Sequence, residues 1–124
     1  MLRLSLFAVL VGCASSPPPK INTPQDYQNA VVDLVAQVID AFKSDGTNCD
    51  MLSHDLHSIR DSAKFKATSD WGSSHPEGPQ LAKEKIDARK ADFDAASGPA
   101  LHACDSSLSG VLQQLMRGGA KPSP

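Results

Sequence analysis

Apolar residues recur at helical spacing from Tyr27 to Phe42, and no other run constrains the fold as tightly. Tyr27, Val31, Leu34, Val38 and Phe42 follow one another at intervals of three or four, with Val35 and Ile39 widening the stripe. A period of 3.6 residues puts them on one face, which a strand with its period of two cannot do. The start is well marked. Thr23 is a good N-cap, Pro24 suits the first helical position, and Asp26 stands three after the cap. At the other end Lys43 complements the helix dipole and Gly46 provides a stop. Such a helix must bury its apolar face on other elements, so the rest of the chain has to supply partners.

Three further segments qualify. The second helix, capped by Thr47 or Asn48 with Asp50 in its first turn, has a buried face of Leu52, Leu56, Ile59 and Ala63, with Cys49 near the same side, and ends by Ala67. Residues 68–78 read as a long loop that holds the single tryptophan, Trp71, expected to cap one end of the core. The third helix, residues 79–96, has a seam of Ala82, Ile86, Phe93 and Ala96 interrupted by Arg89, whose stem should lie on Phe93 with its head in water. Its other face carries Lys83, Glu84, Lys85, Asp87, Lys90, Asp92 and Asp94, as a solvated surface would. Gly98-Pro99 is expected to break the chain. A fourth helix then carries Leu101, Cys104, Leu108, Val111, Leu112 and Leu115 to a stop at Gly118-Gly119. Four such segments predict an all-α fold, an antiparallel four-helix bundle over residues 24–117, followed by a disordered tail at 118–124.

The N-terminus has a different character. Arg3 precedes an apolar run, residues 4–11, too short to span a bilayer comfortably. It ends in Leu10-Val11-Gly12-Cys13, with Ala14-Ser15-Ser16 directly after. This resembles the lipobox of bacterial lipoprotein precursors: an aliphatic residue and two smaller ones ahead of cysteine. The resemblance implies that residues 1–12 are a signal peptide cut before Cys13, and that Cys13 is acylated and holds the protein on a membrane. Two or three acyl chains anchor far more firmly than one. Residues 13–23, with Pro17-Pro18-Pro19, then read as an extended tether. Ala14 stands where enteric lipoproteins retained in the inner membrane have aspartate, so the outer membrane facing the periplasm is expected in a diderm cell. In a monoderm cell the protein would lie on the outer face of its single membrane.

Cysteine parity agrees. The chain has three cysteines, and lipid on Cys13 leaves Cys49 and Cys104 as a pair in an oxidising compartment. Their separation and the absence of a Cys-x-x-Cys unit favour a structural disulfide over a redox-active one. In a square bundle the second and fourth helices are diagonal, so the pairing requires the third helix to be displaced or the bundle to pinch.

Candidate chemistry is sparse. Asp50, His54, His57 and Asp61 form a stripe on the second helix that could bind a divalent metal, with His75 or His102 as a further ligand if the fold brings one near. The stripe lies opposite Leu52, Leu56 and Ile59 and so faces solvent. Ser53, His57 and Asp61 climb the same helix, but an exposed face offers neither oxyanion hole nor cleft. There is no Cys-x-x-Cys-His, phosphate-binding glycine loop or HExxH motif, and His102 falls off the fourth helix seam. The formal net charge is −2, and losing residues 1–12, whose one charge is Arg3, leaves −3, which argues against nucleic acid as a partner. The expectation is a lipid-anchored envelope protein, non-catalytic and without a cofactor, serving as an interaction or structural module for an envelope protein partner. The alternative is a metal-binding lipoprotein using His54 and His57.

Overall fold

The computed structural model describes residues 20–116, and these form five helices with no strand among them. Helix α1 is Pro24–Asp45, α2 Cys49–Arg60, α3 Ala63–Ser74, α4 Gly78–Ala88 and α5 Lys90–Met116. The lipobox with Cys13, most of the tether, and the tail at 118–124 lie outside the described residues. No helix among those described is long and apolar enough to cross a membrane.

Helix α1 is the axis of the molecule and packs against each of the other four. Thr23 Oγ1 accepts from the Asp26 backbone N–H at 3.0 Å, and the Asp26 carboxylate accepts from the Asn22 N–H at 3.1 Å. Two otherwise unpaired donors at the helix start are thereby satisfied. At the far end Gly46 adopts φ 58°, a region open to glycine, and its N–H returns to the Phe42 carbonyl.

Burial divides α1 lengthwise. Leu34, Val38, Ala41 and Phe42 join Leu52, Leu56 and Ile59 of α2, and Ala100, Cys104, Leu108 and Val111 of α5, in the main core. Phe93 meets Phe42 edge-on, with ring centroids 5.6 Å apart. Nearer its N-terminus, Tyr27 and Val31 instead pack with Trp71 of α3, and Leu81, Ala82 and Ile86 of α4 join this second cluster. Trp71 is stacked between Tyr27, centroids 4.8 Å apart, and His75, 3.6 Å apart. The tryptophan thus closes one end of the core, as expected, though from a helix.

Several boundaries differ from the sequence reading. The second helix does not run on to Ala67. It ends at Arg60, and Ser62 starts a new one by accepting from the Phe65 N–H at 3.2 Å while its hydroxyl donates to the Ile59 carbonyl at 2.7 Å. Ala63, expected to be buried, is exposed at that restart. The expected loop at 68–78 is helical as far as Ser74, because Phe65, Thr68 and Trp71 make a buried stripe of their own.

The expected third helix breaks at Arg89, where the backbone takes φ −110°, ψ 10°. Ala82 and Ile86 before it face the Tyr27–Trp71 cluster, whereas Phe93 and Ala96 after it face the main core. One straight helix cannot serve both. Arg89 itself is half-buried, with its Nε 2.9 Å from Asp92 Oδ2. Gly98-Pro99, conversely, breaks nothing, and α5 runs through it. Pro99 is exposed, and so is Ala95, whose carbonyl loses its usual donor and can turn to water. Because α5 is continuous, its buried face is Ser97, Ala100, Cys104, Leu108 and Val111, and Leu101 is left exposed rather than buried.

Cys49 and Cys104 are joined in a disulfide, with Cα atoms 5.5 Å apart. Arg60 Nη1, at the other end of α2, donates to Gln114 Oε1 of α5 at 2.7 Å, so the two helices run side by side in the same direction. The diagonal problem does not arise, since α2 and α5 pack directly on each other.

Candidate functional site

The residues singled out on α2 are not brought together. Asp50 is exposed, and the His54 side chain is 81% exposed with Nδ1 3.4 Å from Asp55 Oδ1. His57 Nδ1 lies 2.7 Å from the Ser53 carbonyl, so that nitrogen carries the proton and donates. Asp61 is the C-cap, and the Arg60 guanidinium holds its carboxyl below the ordinary range. His75 is stacked on Trp71 and donates from Nδ1 to the Trp71 carbonyl at 2.8 Å, while His102 is exposed on α5. Among the described residues no three His, Cys, Asp or Glu side chains converge as a metal site would require. In the Ser53–His57–Asp61 series the ring nitrogen nearest the serine is not a base either. A ring nitrogen that donates to a carbonyl cannot take a proton from Ser53, whose hydroxyl is 3.4 Å away.

A carboxyl pair escaped the sequence reading. Asp45, in the last turn of α1, is buried, and its Oδ2 meets no protein donor. A hydrogen bond shared with Asp55 raises the Asp45 pKa, reinforced by burial and the neighbouring charge, and the same bond lowers that of Asp55, helped by His54. Of the two carboxyls, Asp45 is therefore the one that keeps its proton to the higher pH. An acid at the negative end of a helix dipole was the available signal.

A groove floored by α1 is a broad concave feature of the described residues. Val31, Leu34, Val35 and Val38 make its floor, Phe65, Thr68 and Ser69 of α3 one wall, and Ile86, Phe93, Leu112 and Leu115 of α4 and α5 the other. It exists because the backbones of α3 and α5, both packed on α1, stay apart among the described residues. Its volume is about 710 Å³. That falls within the size range of small-molecule sites, which share this mainly apolar lining. Thr68 does not offer its hydroxyl to the groove as a free donor, since Oγ1 donates back to the Lys64 carbonyl at 2.6 Å. Charge appears only at the edge, where exposed Lys83, Asp87, Lys90 and Asp94 form the pairs Lys83–Asp87 and Lys90–Asp94.

Close packing shapes the end of the groove nearest Tyr27. A Cβ on Gly78 would stand 2.7 Å from the Gly72 carbonyl oxygen and 2.9 Å from its Cα, and one on Gly72 would stand 2.8 Å from the Tyr27 hydroxyl. These two glycines let α4 start directly against α3, with Tyr27 beneath. Comparison with protein-family models, curated proteins and solved structures finds no match to this chain.

Proposed function

We propose that this chain is a lipid-anchored, non-catalytic module of the bacterial cell envelope that works by binding, with the groove between α3 and α5 as its binding surface. The groove is the observation that carries the reading: an apolar trough with a charged edge is built to hold a ligand or partner. The anchoring half rests on Arg3, the apolar run and Leu10-Val11-Gly12-Cys13. On this reading the tether carries the helical domain away from an outer membrane, on its periplasmic face, and an envelope component reaches the groove there.

Two measurements test the two halves. Cys13→Ser abolishes incorporation of a fatty-acid probe in the expressing cell; undiminished labelling would dispose of the anchor. For the groove, an environment-sensitive apolar dye binds the full chain saturably, and Ser69→Trp, which fills the trough from the α3 wall, removes that binding while far-ultraviolet circular dichroism stays unchanged. Equal dye binding by a folded Ser69→Trp chain would show that the groove is not the site.

A further inference from the structure

From the groove's chemistry we infer that its occupant is the single acyl chain of a zwitterionic lysophospholipid drawn from the bilayer, with the head group seated on the Lys83–Asp94 edge. The inference rests on the binding reading above and names its ligand.

The body of the groove is mainly hydrocarbon. Its floor is four aliphatic side chains of α1; the Thr68 hydroxyl is satisfied within its own helix, and Tyr27, Ser69 and Ser73 are the other hydroxyl-bearing residues of the lining. None of the groove's side chains carries a buried polar atom without a partner. A ligand bearing donors or acceptors along its whole length would lose more hydrogen bonds to water than these few hydroxyls can return. An unbranched alkyl chain loses nothing.

The edge asks for a head group with both signs of charge. Lys83, Asp87, Lys90 and Asp94 alternate positive and negative and sum to zero. An anion such as a fatty-acid carboxylate would meet as many carboxylates as ammonium groups. A phosphate next to an ammonium matches the alternation, phosphate toward lysine and ammonium toward aspartate. Both existing pairs are exposed i, i+4 contacts, weak enough to exchange partners for a ligand. One chain, rather than two, suits a trough with a single apolar floor.

The test uses the full chain in phosphatidylethanolamine–phosphatidylglycerol vesicles containing a lysophosphatidylethanolamine with a photoreactive group on its acyl chain. On irradiation the label is expected on groove residues such as Val35 and Leu112, one lipid per chain. Excess unlabelled lysophosphatidylethanolamine suppresses it, and excess palmitate does so far less. Lys83→Glu with Lys90→Glu, which leaves the edge acidic, weakens labelling about five- to tenfold while far-ultraviolet circular dichroism stays unchanged. Ser69→Trp abolishes both labelling and dye binding. If the dye binds the groove but lysophospholipid neither labels nor displaces it, the lysophospholipid assignment is wrong and the binding reading survives. An amphipathic helical peptide that displaces the dye where lysophospholipid does not would overturn the assignment in favour of a protein occupant. If neither dye nor lipid enters a folded chain, both readings fail.

Discussion

The contact with Asp55 raises the Asp45 pKa, and that direction fixes the sign of its effect on stability. Because its pKa is raised in the folded state, its favourable contribution is full below the ordinary carboxylate value and is lost as pH rises through the raised one. Asp55 and Asp61 behave oppositely: held low, they stabilise the fold above the ordinary value and cease to do so as pH falls through their lowered ones. Asp45→Asn supplies a permanently neutral partner that donates to Asp55. The expected result is a higher urea midpoint at pH 7 with unchanged slope, and a gap that narrows as pH falls toward 3.8, the ordinary value. A gap independent of pH would contradict the shared proton. Gly78 matters through space rather than backbone angle. Gly78→Ala pushes a methyl group into the Gly72 backbone and should cost about 1–3 kcal/mol, read as a lower midpoint in chemical denaturation and a change in Trp71 fluorescence.

At the scale of elements, caps and backbone donors set the boundaries. Ser62 separates α2 from α3 with two hydrogen bonds from one hydroxyl, and Ser62→Ala removes both. The loss expected is about 1 kcal/mol, measured by urea denaturation at neutral pH. Pro99 is the converse case, a residue its helix tolerates without benefit. Pro99→Ala restores a donor for the Ala95 carbonyl and should stabilise the protein by about 1–3 kcal/mol, after allowance for the more flexible unfolded chain. A destabilised Pro99→Ala would mean that the proline shapes α5 in a way its exposed position does not suggest. Arg89 was legible in the sequence as an anomaly in an apolar seam, but its consequence, a break between two helices, was not. Each half of the expected helix answers to a different cluster, and only the position of α1 between them makes a straight seam impossible.

For the molecule as a whole, the Cys49–Cys104 disulfide closes a loop spanning 55 positions. In the chain-entropy model this is worth about 4 kcal/mol, a large share of the stability of a domain this size. Reduction should therefore lower the unfolding free energy by about that amount, measured by denaturation with and without reductant. A change below about 1 kcal/mol would show that the denatured chain is already compact around these cysteines. The crosslink ties α5 to α2. It thereby fixes one wall of the groove without closing it.

What the sequence determined by itself was local or a matter of counting. Helical period, the Thr23 cap, the Gly46 stop and the parity of the cysteines sufficed for α1, for the all-helical class and for the disulfide, because each depends on neighbours in the chain or on the number of one residue type. The candidate site was a different matter. His54 and His57 attracted attention by their spacing, yet the tertiary structure leaves them on an exposed face without converging partners. The groove gave no motif, since its floor is ordinary helix core: Val31, Leu34 and Val38 are buried in the two clusters, and the trough opens above them. Whether a trough is left above such side chains depends on how closely the neighbouring helices approach, and here the backbones of α3 and α5 stay apart. Sequence periodicity records which face of a helix is apolar; only the packing of the other helices decides what is left to cover it.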